Sequence, residues 1–112
     1  MSYERFAVVI VPFPFTDKVQ VKRRPALILS SHVAFGRKAG HSIMAMITSA
    51  SNPPWPLDVL VSDLDSAGLP APSIVRMKLF TLDHRFVVAK RGTLSDKDQR
   101  AVSRALKSAL EF

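Results

Sequence analysis

The 112-residue sequence has no cysteine. That excludes disulfide staples, thiolate nucleophiles and cysteine-ligated zinc, and it fits a reducing compartment, so the expected location is the cytoplasm. Glycine is scarce, at four residues, and none belongs to a G-x-x-x-x-G-K-[ST] phosphate loop or a G-x-S-x-G nucleophile elbow. Nucleotide-driven and serine-hydrolase chemistries are therefore without a motif. No apolar run approaches the ~20 residues of a membrane helix, and the run from Phe6 to Pro14 suits a buried strand instead. Residues 1–5 include Glu4 and lack an apolar stretch, so they are not expected to act as a signal peptide. Acids are outnumbered, nine against sixteen Lys and Arg, which leaves a net charge of +7. That excess favours a polyanionic partner, nucleic acid first and an acidic protein second. The basic residues do not line one amphipathic helix, so a membrane surface is not an expected partner.

What is present describes a folding chain. An apolar fraction of 47% with 22% charged residues supports one hydrophobic core, and a single domain over residues 1–112 is expected. Phe6 to Val11, rich in valine and isoleucine, predicts a strand buried on both faces, and Pro12 and Pro14 end or bend it. Ala26 to Leu29, Ser42 to Thr48, Leu57 to Val61 and Phe86 to Ala89 predict four more, the last closed by Gly92. Between Ile74 and Phe80, Val75, Met77 and Leu79 alternate with Arg76 and Lys78, which predicts a strand with one charged face. Residues 32–41 read as a basic loop broken by Gly36 and Gly40, and residues 62–72 as turns with a single helical turn at most. Ser95 caps a C-terminal helix with Asp96 and Asp98 in its first turn, and Val102, Ala105, Leu106, Ala109 and Leu110 share one face. The expected fold class is mainly β with α: about six strands in a small barrel, packed by the C-terminal helix.

Carboxylates and histidines give little chemistry. Asp58, Asp63 and Asp65 could ligate a divalent cation, but Asp63 and Asp65 sit where turns and helix starts use them. His32, His41 and His84 are isolated, without the spacing of a metal pair, so no metal and no cofactor is expected. The dense feature is "VPFPFTDKVQVKRRPALILS", residues 11–30, where Lys18, Lys22, Arg23 and Arg24 crowd a loop between two apolar strands with Phe15 at its start. Guanidinium groups clamp phosphate bidentately, and aromatic rings stack on unpaired bases. A solvated basic loop with Phe15 in the core is the plain alternative. Arg24 differs from its neighbours, because it opens a buried strand and is held rigid at a strand end. Thr48 holds the matching place on another strand. Trp55, between Pro54 and Pro56, is either a packed anchor, as tryptophan usually is, or an exposed stacking platform.

With "VPFPFTD", "RRPALILSS", "MITSAS", "PSIVRMKLFTLDHR" and "GTLSDKD" in this order, roughly residues 3 to 110 resemble the PemK/MazF-like toxins of prokaryotic toxin–antitoxin systems. The resemblance implies an SH3-like β-barrel that works as a homodimer. It implies a metal-independent endoribonuclease cutting single-stranded RNA at short motifs, and a cognate antitoxin whose disordered acidic segment covers the RNA site. The family's essential arginine falls on Arg24 and its essential threonine on Thr48, with Ser49 beside it. Phe15 and Asp17 then stand at the mouth of the site, with Lys18, Lys22 and Arg23 on the loop, and Arg76 and Lys78 face the RNA. Members usually carry Gly-Asp before the first strand, where this chain has Phe6-Ala7, and their first loop often contains glycine, which "DKVQVKR" lacks. Neither departure touches Arg24 or Thr48.

The chemistry expected of such a site is attack by the substrate's own 2′-OH, leaving a 2′,3′-cyclic phosphate. An arginine is a poor base, so the proton acceptor is Asp17 or a histidine brought close by folding. Two other readings share the motifs: a toxin of similar fold that binds a topoisomerase without chemistry, and an RNA-binding relative without activity.

Overall fold

The computed structural model describes residues 2–12 and 22–112. Strand β1 (Ala7–Pro12) pairs antiparallel with β2 (Arg23–Ile28), from Val8 opposite Leu27 to Pro12 opposite Arg23. Strand β2 pairs with β3 (His41–Ser49), and β3 with the eleven-residue β5 (Ser73–Asp83). The short β4 (Val59–Leu60) and β6 (Ala89–Thr93) complete a six-stranded antiparallel sheet, in the order β4-β5-β3-β2-β1-β6. The sheet curls into a half-barrel, and the C-terminal helix α3 (Asp96–Leu110) packs on it, the mainly β class that the patterning implies.

Burial follows the side-chain period of the strands. Val8, Leu27, Ala45, Ile47 and Val75 point to one face and pack with Val102 and Leu106 of α3. Val9, Val11, Ala26, Ile28, Met44 and Phe80 form a second core on the other face. Val8 and Val9 are both fully buried, as a strand covered on both sides requires. The buried stripe of α3 is shorter than its sequence period: Val102, Ala105 and Leu106 are buried, but Ala109 and Leu110 are exposed.

Four local expectations change. Residues 32–41 are not a loop. Ser31 caps a π-type turn over His32–Gly36, and α1 (Arg37–Ala39) follows until Gly40, at φ 67°, stops it. The fourth strand shrinks to two residues, because Leu57 takes a left-handed φ of 65° and leaves the pleat late. His84–Phe86 forms a 3₁₀ turn capped by Asp83, so the last strand starts at Ala89 and Gly92 lies inside it. In β5, Val75, Met77 and Leu79 keep the predicted alternation and pack on one core, across a two-residue insertion of Met77 and Lys78 where the register jumps from Met46–Arg76 to Ala45–Leu79, but the opposite face is not solvated throughout. Arg76 on that face is buried against Asp58 and the Pro53 carbonyl.

Two of the four glycines serve one seam. Helix α2 (Leu64–Ala67) ends at Gly68, φ 70°, against the Arg91 carbonyl, and Gly92 lies against the Ser66 carbonyl. A Cβ at either place would collide with backbone. Asp98 closes the neighbouring seam. Its carboxylate, 2% exposed, accepts from Ser62 N at 3.0 and 3.1 Å, from Ser62 Oγ at 2.7 Å and from Asp63 N at 3.1 Å. The residue expected to complement the helix dipole thus also ties α3 to the segment after β4. Burial pushes its pKa up, but these hydrogen bonds outweigh burial and hold the carboxyl below its ordinary value.

The departure at Phe6 has a backbone cost. Its φ of 71° lies in the region glycine favours, where an L-residue loses about 1–2 kcal/mol. Hydrogen bonds on both sides hold it there, Phe6 N donating to Ile28 O and Leu94 N to Phe6 O. The ring is 9% exposed, packs in the core under α3 and receives the Arg5 guanidinium at 4.8 Å. Burial of the ring offsets the strained backbone. Phe6→Gly is therefore expected to be about 1 kcal/mol more stable than Phe6→Ala in urea unfolding, the reverse of the usual order for these two residues in a strand or helix.

Candidate functional site

Strands β2 and β3, interior to the sheet, bring Arg24, Thr48 and Ser49 to one end of it, with β5 beside them. Strands β2 and β3 pair as Ala26–Met46, Leu27–Ala45 and Ile28–Met44. Arg24 and Thr48 each lie two residues beyond the Ala26–Met46 pair, on the face those two residues share. Arg24, Thr48 and Ser49 line one cavity of about 200 Å³, walled by Pro25, Ile47 and residues 69–73. Arg24 is half-buried, and its backbone is fixed on the other side by pairing with Val11. Lys22 and Arg23 are exposed beside it, and among the described residues no carboxylate pairs with any of the three. Phe15, Asp17 and Lys18 lie outside the described residues.

Thr48 is 5% exposed, and its Oγ1 accepts a 2.6 Å hydrogen bond from Asn52 Nδ2. With that lone pair engaged, the hydroxyl proton is free to be donated to a ligand. Asn52 is the residue that sequence reasoning missed. Its signal is the local string "TSASN", in which a loop amide four residues on can return to the strand end. Ser49 and Ser51 tighten the same turn through their hydroxyls at 2.8 Å, and Asn52 N donates to Ser49 O.

Arg76 lies opposite Met46, one row (about 7 Å) in from the Arg24–Thr48 row on that face. Its guanidinium donates Nε to Asp58 Oδ1 at 3.2 Å, and Nη2 to Asp58 Oδ2 at 3.1 Å and to Pro53 O at 2.8 Å. Burial raises the Asp58 carboxyl, but hydrogen bonds from Arg76 and Trp55 N and the Arg76 charge prevail, so its pKa lies below the ordinary carboxylate value. Asp58 is thus a partner for arginine. Asp63 caps α2 by accepting from Ser66 N, and Asp65 lies in that helix's first turn. Among the described residues no three carboxylates or histidines gather as metal ligands would.

Trp55 is 44% exposed rather than a packed anchor, with the Arg76 guanidinium 5.3 Å and the Lys78 ammonium 5.6 Å from its ring centroid. None of the histidines lines the Arg24–Thr48 cavity. His84 is buried with Nε2 2.7 Å from Ser42 Oγ, His32 bonds Ser2, and His41 faces Asp83. Arg85 holds the Asp83 carboxyl down to about 2. No helix of the described residues is long and apolar enough to cross a membrane.

The described fold matches solved toxin structures over almost its full length. An endoribonuclease in complex with its cognate antitoxin, from a Mycobacterial species, superposes with a TM-score of 0.79 at 16% identity, covering 99% of this chain and 97% of that one. MazF from Deinococcus radiodurans gives 0.77 at 20% identity, with 100% and 99% covered. The Mycobacterium tuberculosis toxin MazF-mt6 gives 0.73 at 23% identity, with 95% and 97% covered. At such identities these likenesses carry the fold alone. No curated protein matches the chain in sequence. Residues 4–110, however, match the family described as PemK-like, MazF-like toxins of type II toxin–antitoxin systems, and the chain belongs to that family.

Proposed function

We propose that this toxin is a metal-independent endoribonuclease that cuts single-stranded RNA, and that Arg24 and Thr48 are its catalytic residues. The observation that carries the reading is that both line one cavity, where a guanidinium with no carboxylate partner among the described residues stands near an oriented hydroxyl. The 2′-oxygen attacks the adjacent phosphorus, the bond to the 5′-oxygen breaks, and a 2′,3′-cyclic phosphate and a 5′-hydroxyl result. A base takes the 2′-OH proton, and an acid returns one to the leaving oxygen. Arg24 neutralises the phosphorane, and the Thr48 hydroxyl donates to a non-bridging oxygen, so the charge stabilisation a metal would otherwise supply comes from the chain itself. Asp17 is the remaining carboxylate candidate for the base. Lys22, Arg23, Ser49 and Lys78, with Phe15 and Lys18, bind the flanking RNA, and Arg76 acts there through Trp55 and Asp58.

The same reading extends to the partners. The net charge of +7 and the basic residues Lys22, Arg23 and Arg24 suit an antitoxin with an acidic disordered segment, which competes with RNA for the site. The chain works in the cytoplasm as a homodimer, and the apolar cavity of about 230 Å³ lined by Leu29, Ile43, Leu79, Leu110 and Phe112 offers a surface for a second copy. The test is incubation with a long single-stranded RNA in EDTA, with the fragment ends read. Discrete cuts ending in cyclic phosphate are expected, and Thr48→Ala is expected to slow them about 10²–10³-fold. Intact RNA in the presence of folded protein would overturn the enzyme and redirect the search to a protein target such as a topoisomerase.

A further inference from the structure

We infer that Trp55 is the stacking platform for a nucleobase beside the cleaved phosphate, an inference that rests on the ribonuclease reading above. Tryptophan is usually buried, yet this one leaves 44% of its surface in solvent while its backbone is fixed. Trp55 N donates to Asp58 Oδ2 at 2.8 Å, and Asp58 N donates to Trp55 O at 3.3 Å. Pro54 and Pro56 stiffen the chain on either side, and Leu57 holds a left-handed φ of 65° to complete the turn. Strain of that kind persists where surrounding contacts over-determine it, and it gathers at binding sites.

The turn's position decides what the ring is for. The loop from Ser49 to Asp58 is stitched to the sheet at both ends, by Asn52 on Thr48 and by Asp58 on Arg76. The ring is therefore carried by the same short loop that orients the Thr48 hydroxyl. A single strand whose phosphate sits at Arg24 and Thr48 must place its neighbouring bases somewhere, and an indole offers each of them a π face. The two cations at 5.3 and 5.6 Å suit this arrangement. Arg76 is locked by Asp58 and braces the ring, whereas Lys78, on a flexible stem, can exchange the ring for a phosphate as a base arrives. Stacking is tolerant of base identity, so Trp55 sets where the strand lies and leaves the reading of the motif to other groups.

The sequence contains one tryptophan, so intrinsic fluorescence reports Trp55 alone. The probe is an RNA oligonucleotide spanning a cut found with the wild-type protein, 2′-O-methylated at the scissile residue, together with versions abasic at each flanking position. Saturable quenching is expected with the intact oligonucleotide. Trp55→Ala is expected to raise KM for the cleavable form about 5- to 150-fold with kcat at saturation little changed, and Trp55→Phe to recover most of the loss. One abasic position should weaken the wild-type by a similar factor and Trp55→Ala no further, because both remove the same contact. Cleavage by the wild-type with no quenching and an unchanged KM in Trp55→Ala overturns this inference alone. Quenching by an acidic peptide but not by the oligonucleotide also overturns it and assigns Trp55 to a protein partner. RNA neither bound nor cut overturns it together with the ribonuclease reading.

Discussion

Arg24→Ala is expected to lower the single-turnover rate of RNA cleavage by about 10²–10³-fold or more, with an unchanged urea midpoint. One preorganised donor aimed at developing charge typically supplies that factor. Arg24 does more than donate, because its charge is permanent and no described carboxylate neutralises it. Its side chain is half-buried at the strand end and outside both apolar cores, so truncation leaves the sheet intact. Arg24→Lys is a sharper variant. An ammonium keeps the charge and loses the planar fork, so it should restore RNA binding more fully than the cleavage rate. A cleavage rate for Arg24→Ala within threefold of the wild-type would remove Arg24 from the mechanism.

Asp98→Ala is expected to cost about 3 kcal/mol of stability, the largest folding effect of any exchange of a polar residue considered for this chain. The variant strands Ser62 N, Ser62 Oγ and Asp63 N without their acceptor at the seam between α3 and the segment after β4. The pH dependence has a definite sign. The folded pKa is depressed, so the carboxylate's contribution is fully present above its unfolded value of about 3.9 and is lost as pH falls through the folded value. The gap between wild-type and Asp98→Ala in urea melts should therefore be wide at pH 7 and narrow below about pH 4. A gap that stays constant down to pH 3 would mean that the charge contributes nothing and the loss is one of packing.

Much of this fold is written locally. Two-sided burial of β1 follows from an unbroken valine and isoleucine run, and α3 from a serine cap, acids in its first turn and a 3.6-residue period. The C-terminal limit of the apolar stripe is not local. Leu110 keeps the period and yet is exposed, lining an open cavity with Leu29, Ile43 and Leu79 instead of closing it. Turns were the less legible part. Phe6 and Leu57 take a conformation that their side chains disfavour; hydrogen bonds with the distant Ile28 and Leu94 hold Phe6, and the Trp55–Asp58 pair closes the turn around Leu57. The insertion at Met77 and Lys78 is equally hidden, since two extra residues keep the alternation and leave no mark in the pattern.

The site divides the same way. The sequence by itself determined the family, the positive charge, and Arg24 and Thr48 as the residues to examine, because motif order and charge are properties of the chain. Only the tertiary structure decided that these two line one cavity, through the pairing of β2 with β3, and that Asn52 holds the threonine hydroxyl. It also decided that Arg76, alternating with apolar residues as a solvated cation would, is instead buried against Asp58 and braces an exposed Trp55. The physical reason is range. Propensity and periodicity act over a few residues, whereas the partners of a buried guanidinium lie eighteen and more positions away and are chosen by the path of the sheet.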